Sequence, residues 1–130
     1  MKSAVMRIST DIAEAYIEEG ILFTKFSVLA IELKPLKKHQ AEVIAAFGHL
    51  LPLPSIVEMP EGSKTPDKEV RDYTASPEST SFVLSTAVIV PSAFMRTVAN
   101  FYFKFVKMPT PTKLFGDVPS AIEWSKQFIK

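Results

Sequence analysis

"SFVLSTAVIVPSAFMRTVANFYFKFVKMPTPTKLF", residues 81–115, joins an apolar run to an aromatic segment and then to a Pro-Thr-Pro-Thr break. The run at 81–90 is almost continuously apolar, as expected for a strand that is covered on both faces of a sheet. The segment at 92–108 predicts a helix, and 112–115 predicts a short last strand. Strand, helix and strand in this order indicate parallel strands joined by a right-handed crossover.

The first half of the chain predicts a hairpin and a helix. Gly20 suits a tight turn between strands at 11–18 and 21–28, which together form an N-terminal antiparallel hairpin. The apolar residues of 35–51 then recur at helical spacing, which predicts a helix, and a short strand is predicted at 55–59. The predicted apolar face of this helix consists of Leu36, Val43, Ile44, Phe47, Leu50 and Leu51.

Two further helix starts can be read from capping residues. Thr65 is the expected N-cap of a second helix, with Pro66 at its first position. Asp117 is the expected N-cap of a last helix that contains Ala121 and Trp124. The predicted order is ββαβαβαβα, an α/β structure with helices packed on a mixed sheet.

The composition is that of an ordinary globular domain. The 130 residues are 47% apolar and 22% charged, which predicts a single domain with one hydrophobic core over residues 1–130. Lysine and arginine number 15 against 14 acidic residues, so no overall charge favours binding to nucleic acid. Cysteine is absent, which excludes disulfides and cysteine nucleophiles. No apolar run approaches the ~18 residues of a membrane span, and we expect a cytoplasmic protein without integral membrane association.

The second half of the chain resembles a known family. The aromatic segment around 100–107, the Pro-Thr-Lys-Leu-Phe strand at 111–115 and the Ala-Ile-Glu-Trp run at 121–124 are similar to the C-terminal pattern of small bacterial STAS/SEC14-like (SpoIIAA-like) proteins. The hairpin at Gly20 and the segment 69–73 also look like that family. The resemblance implies a SpoIIAA/STAS-like mixed sheet, commonly in dimers. Relatives include anti-anti-sigma factors switched by phosphorylation and domains that bind nucleotides or lipids.

Two hydroxyl side chains are candidates for the phosphoacceptor of such a switch. Ser63 and Thr65 precede the second predicted helix, where a phosphate would meet free backbone N–H groups and the positive end of the helix dipole. Asp67 and Glu69 already place negative charge there. Plain N-capping by Thr65 is therefore the preferred interpretation.

The sequence contains no pattern that predicts catalysis. His39 and His49 are the two histidines, and their side chains point about 80° apart on a helix, three turns from each other, so they cannot share a metal ion. We expect both to be solvated. The four glycines form no phosphate-binding loop. We therefore expect no enzyme, no cofactor and no metal.

The predicted aromatic helix carries more apolar surface than one sheet requires. At about 100° per residue, the apolar side chains of 94–108 spread over about 220°, whereas a helix on a sheet needs a stripe somewhat above 100°. Neighbouring helices, a second subunit or a hydrophobic ligand could cover the surplus. The candidate interface or ligand residues are Phe94, Val98, Phe101, Tyr102 and Phe105.

These observations favour a non-enzymatic STAS-like binding or regulatory module. We expect it to act through contacts with an unknown protein partner and to form a homodimer through the 92–108 helix. The alternative is a small domain that binds a hydrophobic molecule or lipid between the same rings.

Overall fold

The computed structural model describes residues 6–90, 92–93, 95–97 and 108–130. They form an α/β structure on one six-stranded sheet, whose strands lie side by side in sequence order. The first three strands are antiparallel, and the third to the sixth are parallel. The strands are β1 (Met6–Ser9), β2 (Ala13–Glu18), β3 (Ile21–Phe26), β4 (Leu53–Glu58), β5 (Val83–Ile89) and β6 (Thr112–Phe115). The predicted fold class, a mixed sheet with an N-terminal antiparallel hairpin, is confirmed.

A two-residue turn joins β2 to β3. Glu19 has a φ of 52° and Gly20 a φ of 80°, as a type I′ hairpin turn requires of its two central residues. The turn sets a register in which Tyr16 faces Phe23. Outside β2 lies β1, a strand that the sequence analysis missed because four residues with alternating polar side chains give a weak signal.

One helix, α1 (Leu33–Phe47), packs on what we call the inner face of the sheet and continues into a 3₁₀ turn at Gly48–Leu50. Its buried residues are Leu36, His39, Val43 and Phe47, which form one stripe at helical spacing. A helix is thus present where 35–51 predicted one. Its predicted apolar face is wrong at two positions, since Ile44 is 43% and Leu50 39% exposed. The sheet contacts α1 along the line of Leu36 and Val43, and Ile44 lies about 100° away from Val43 around the helix.

Two short helices, α2 (Lys68–Thr74) and α3 (Pro77–Thr80), follow β4. The N-cap of α2 is Asp67, whose carboxylate accepts a hydrogen bond from the Val70 N–H at 3.2 Å. The predicted start at Thr65 is therefore wrong, because an aspartate two residues later meets the free N–H groups instead. Helix α3 was not predicted, although Ser76 caps it and Pro77 occupies its first turn.

A polar bridge connects these helices to α1. The Tyr73 hydroxyl donates to Gln40 Oε1 at 2.6 Å, and Gln40 Nε2 donates to Ser79 Oγ at 3.0 Å. Val70 packs with Leu36 and Phe26 in one core cluster. The inner face is therefore covered by α1 and α2, with α3 beside them.

The last helix, α4 (Val118–Ser125), covers part of the opposite face of the sheet, which we call the outer face. As predicted, Asp117 is its N-cap and accepts a hydrogen bond from the Ser120 N–H at 2.8 Å. Ala121 packs with Ile56 and Ala87 between α4 and the sheet. Strand β5 lies where the sequence predicted a central strand, but only one of its faces is buried and the other is half-buried, so the predicted coverage of both faces is not seen in full.

Between β5 and β6, the structure describes only part of the predicted aromatic helix. Residues 93 and 95–97 are helical, and they fall within the predicted range 92–108. Within the described ranges, no helix combines the length and apolar character needed to cross a membrane.

Candidate functional site

The candidate residues of the aromatic segment cannot be placed. Phe94, Val98, Phe101, Tyr102 and Phe105 all lie outside the described residues. Their assignment to an interface or a ligand site stays a prediction.

The two candidate phosphoacceptors lie in the loop before α2. Ser63 donates its hydroxyl hydrogen to the Pro60 carbonyl oxygen at 2.6 Å, within a turn. Thr65 is exposed and lies two residues before the N-cap Asp67. The structure thus places neither hydroxyl at the helix N-terminus, and phosphorylation of either residue stays a prediction.

His39 is buried, contrary to the prediction that both histidines are solvated. Its side chain is 4% exposed, its Nδ1 lies 2.8 Å from Thr10 Oγ1, and its ring packs against Phe26. Burial lowers the pKa of His39 from 6.5 to about 4, so the ring is neutral at neutral pH. The spacing 36, 39, 43 and 47 along α1 was the signal that could have revealed this. His49 is exposed, as expected.

Neither histidine belongs to a metal site in the described part of the chain, where no three His, Asp or Glu side chains converge. The buried ring of His39 is in contact with Thr10 and Phe26 instead. The geometry of His39 is therefore that of a packed core side chain.

The outer face of the sheet differs between its two halves. Over β4 and β5 it is packed against α4. Over β1–β3 most outward side chains remain exposed or half-buried, at every second position as strand geometry requires. We call this surface, with the adjacent end of β4, the open half-sheet. It comprises Arg7, Ser9, Glu14, Tyr16, Glu18, Phe23, Lys25 and Glu58.

A ladder of stacked groups crosses the open half-sheet. Arg7, Tyr16 and Phe23 face one another on β1, β2 and β3. The rings of Tyr16 and Phe23 stack with centroids 4.9 Å apart and planes 7° apart. This distance is close to the ~4.8 Å between neighbouring strands, so both rings stand upright on the sheet. On the other side of Tyr16, the Arg7 guanidinium carbon lies 4.4 Å from the ring centroid, a cation–π contact.

A row of charges runs beside this ladder. Glu14, Lys25 and Glu58 face one another across β2, β3 and β4 and alternate in sign. Glu14 also forms an ion pair with Arg7.

Burial and neighbouring charges affect the Tyr16 phenol. Burial raises the pKa of Tyr16, and the carboxylate of Glu18 raises it further, against the opposing effect of Arg7. The phenol therefore stays protonated at neutral pH and can donate a hydrogen bond. The open half-sheet thus offers aromatic area, a hydrogen-bond donor and charges of both signs.

The sequence analysis did not single out Tyr16 or Phe23, although the signal was available. Across a hairpin with a turn at 19–20, the numbers of facing residues add to 39, so Tyr16 must face Phe23. Arg7 could not be added in the same way because β1 was not predicted.

A second polar contact lies at the carboxyl ends of β5 and β6. Arg96 Nη1 donates to the Val90 carbonyl oxygen at 2.7 Å. A Cβ atom on Gly116 would lie 2.9 Å from the same nitrogen, so glycine leaves room for the guanidinium. The pKa of Asp117 is lowered, mainly by the hydrogen bond from the Ser120 N–H and to a smaller extent by the positive charge of Arg96. Arg96 therefore connects the end of β5 to the start of α4.

Comparisons with known proteins agree with this architecture. A crystal structure of an uncharacterized protein from the DUF3478 family with a SpoIIAA-like fold, from Shewanella loihica PV-4, is similar with a TM-score of 0.55. The two chains are 12% identical, and the alignment covers 94% of this chain and 92% of that one. At this identity, the similarity shows the fold alone, which is the SpoIIAA-like fold that the sequence implied.

At the level of sequence, no curated protein matches the chain. The family model described as "Domain of unknown function (DUF7793)" matches residues 15–129. This match begins within β2 and extends over β3 to β6 and over α1 to α4. The chain therefore belongs to the DUF7793 family.

Proposed function

We propose that this protein is a non-enzymatic, STAS-like binding and regulatory module that acts through protein contacts as a homodimer. The observation that carries the proposal is the open half-sheet, where an Arg7–Tyr16–Phe23 ladder stands on β1–β3 without a helix of the described chain packed over it. In this proposal, the open half-sheet binds a partner protein in the cytoplasm.

The chemistry of the open half-sheet suits a protein partner. Tyrosine and arginine are enriched among residues that dominate binding energies, because they combine a large contact area with directional hydrogen bonding. Tyr16 and Arg7 supply both features side by side. Three strands at ~4.8 Å spacing make a strip about 10 Å wide, which is the width of one helix laid on a sheet.

The proposed absence of catalysis rests on the role of His39. Among the described titratable groups, His39 has a pKa that is strongly shifted, a property often found at active sites. Its shift comes from burial beside Phe26, and its Nδ1 is engaged by Thr10. Packing in the core accounts for both facts without a substrate.

A partner experiment tests the proposed surface. A photo-crosslinking amino acid at the exposed position Lys25 should capture a discrete protein in cells, whereas the same amino acid at the exposed loop position Glu61 should not. After purification, the captured protein should bind the Tyr16→Ser variant at least about tenfold more weakly than the wild type. Circular dichroism would check that the variant is folded. Equal capture at both positions, or equal affinity for the variant, would contradict the proposal.

The proposed homodimer and the ligand alternative have separate tests. Light scattering after size exclusion should give the dimer mass at micromolar concentration, and a monomer at 100 µM would refute self-association. Phe101→Asp and Phe105→Asp test whether the aromatic segment contributes to the dimer contact.

Native mass spectrometry of freshly purified protein tests the alternative, because a co-purifying apolar molecule would favour a ligand-binding domain over a protein-contact module.

A further inference from the structure

Strand β1 forms one edge of the sheet and has little apolar burial of its own. Among the strands that the structure describes, it pairs with β2 alone. Met6, Arg7 and Ser9 are exposed, and the remaining residue, Ile8, is half-buried where it packs against a core cluster. A four-residue edge strand of this kind opens easily unless contacts outside the strand hold it.

The position of β1 matters to the open half-sheet because β1 supplies Arg7. The Arg7 guanidinium stacks on one side of the Tyr16 ring, and Phe23 stacks on the other side. Arg7 also forms an ion pair with Glu14 between β1 and β2. If β1 moved away from β2, Tyr16 would lose the cation on one side, and the ladder would shrink from three groups to two.

The hydroxyl of Thr10 fastens the turn after β1 to helix α1. Thr10 Oγ1 lies 2.8 Å from His39 Nδ1, and the His39 side chain is 4% exposed. The same oxygen accepts hydrogen bonds from the N–H groups of Ile12 at 3.4 Å and Ala13 at 3.2 Å. One hydroxyl therefore joins the backbone of the turn to a buried side chain of the helix.

A second contact holds the next residue of the turn. Lys38 Nζ donates a hydrogen bond to Asp11 Oδ2 at 3.0 Å, on the exposed surface. After Asp11, Ile12 enters the core cluster that contains Leu36. The β2 side of the turn is thus held by apolar packing, whereas its β1 side is held by the polar contacts of Thr10 and Asp11.

We propose that Thr10, Asp11, Lys38 and His39 form a clamp, here called the β1 clamp, that positions β1 and so keeps Arg7 stacked on Tyr16. The inference rests on the proposed function, because it names residues that position the partner-binding surface without belonging to it. Thr10 is the central positioning residue, since its hydroxyl contacts both the helix and the turn backbone.

The β1 clamp connects the two faces of the sheet. Helix α1 packs on the inner face, whereas Arg7 stands on the outer face as part of the open half-sheet. A change in how α1 holds the turn would therefore alter a surface that α1 itself does not touch. The β1 clamp is a discrete chain of contacts through which such coupling can be measured.

Amide hydrogen exchange in three threonine variants tests the inference. Thr10→Val keeps the shape of the side chain but removes the hydroxyl, so exchange in β1 should accelerate at least about tenfold relative to exchange in β4. Thr10→Ser keeps the hydroxyl and should match the wild type. Thr80→Val is the control, because the buried Thr80 hydroxyl donates to the Ser76 carbonyl oxygen at 3.1 Å in α3, away from β1. It should change exchange in β1 and β4 equally.

The position of Arg7 provides a readout that a general loss of stability would not move. The ring current of Tyr16 shifts the nuclear magnetic resonance signals of nearby Arg7 side-chain protons, and Tyr16→Leu gives the unshifted reference. Thr10→Val should lose at least about half of this shift, because Arg7 no longer stays on the ring. Thr80→Val should keep all of it.

The exposed half of the β1 clamp can be tested from the helix side. Lys38→Ala removes the ion pair with Asp11 and should accelerate exchange in β1 about twofold relative to β4. Lys37→Ala is the matched control, since Lys37 is also exposed on α1 but contacts the Tyr73 ring on α2. It should leave exchange in β1 unchanged. If Thr10→Val did not fold, this comparison of two lysines would decide the question.

The inference and the proposed function fail on different results. Wild-type values of the β1 exchange and the Arg7 shift in folded Thr10→Val, or equal effects of Lys38→Ala and Lys37→Ala, would overturn the β1 clamp and leave the open half-sheet as the proposed surface. Failure of a crosslinker at Lys25 to capture a protein would overturn the proposed function alone. A captured partner should bind Thr10→Val at least about threefold more weakly than Thr10→Ser, because β1 must then be ordered on binding. Equal affinities would overturn the positioning role.

Discussion

The imidazole of His39 and the hydroxyl of Thr10 are joined by a hydrogen bond of 2.8 Å, which connects the middle of α1 to the turn between β1 and β2. The preceding residue, Lys38, forms an ion pair with Asp11 at 3.0 Å. Two consecutive helix residues thus hold two consecutive turn residues. The Lys38 contact is exposed, whereas the His39 contact is partly buried. The protonation of His39 therefore affects how firmly the turn is held.

His39 should make the protein less stable in mild acid. Its pKa is about 4 in the folded state against 6.5 for an exposed histidine, so the unfolded chain binds a proton first as the pH falls. The contribution of neutral His39 to the free energy of unfolding is complete above about pH 6.5. It is lost progressively as the pH falls to about 4, and the total loss is about 3 kcal/mol.

Urea unfolding at several pH values measures this effect. Because acidic residues also titrate in this range, the useful quantity is the difference between the wild type and His39→Gln. That difference should shrink as the pH falls from 6.5 to 4. A His39→Gln difference independent of pH would contradict the assignment.

Alanine substitution of the two candidate N-cap residues tests where α2 begins. Asp67→Ala should lower the free energy of unfolding by about 1 kcal/mol, because the Val70 N–H loses its acceptor. Thr65→Ala should change it by less than about 0.5 kcal/mol, since Thr65 is exposed outside the helix. Urea denaturation at pH 7 gives both values. A larger effect at Thr65 would restore the N-cap that the sequence predicted.

Local features of this fold could be predicted from sequence, and features that depend on distant segments could not. The turn at Gly20 and the cap at Asp117 depend on residues a few positions away. Which side of α1 meets the sheet depends on strands far along the chain. Several apolar residues follow one another around that helix, so Ile44 was wrongly placed inside and His39 outside.

The open half-sheet was hidden for a similar reason. Tyr16 and Phe23 face each other because of the hairpin alone, but their exposure depends on where α4 ends its coverage of the outer face. The sequence predicts both strands and the helix, but it does not indicate which strands the helix covers.

Two serines that differ in their partners should respond in opposite ways to alanine. Ser125, the last residue of α4, is fully buried, and its hydroxyl has no hydrogen-bond partner in the part of the chain that the structure describes. Ser125→Ala should therefore raise the free energy of unfolding, by about 1 kcal/mol. Ser79→Ala should lower it by about 1 kcal/mol, because Gln40 Nε2 loses its acceptor.

Thermal and urea unfolding of both variants would check this contrast. Ser85→Ala provides a second case, since Ser85 is also fully buried and its hydroxyl likewise lacks a partner within the described residues. A clear loss of stability in Ser125→Ala and Ser85→Ala would mean that these hydroxyls do have hydrogen-bond partners, as an ordered water would provide.

The hairpin turn contains a residue whose conformation is unfavourable. Glu19 has a φ of 52°, in the left-handed region that costs a residue with a side chain about 1 kcal/mol, although asparagine tolerates it better. Glu19→Asn would create the Asn-Gly pair preferred in type I′ turns and should raise the free energy of unfolding by about 0.5–1 kcal/mol. Glu61→Asn is a matched control, because Glu61 also precedes a glycine with positive φ but does not itself have one. Both changes remove one exposed carboxylate, so an equal gain in the two variants would trace the effect to charge, whereas a gain confined to Glu19→Asn would trace it to the backbone.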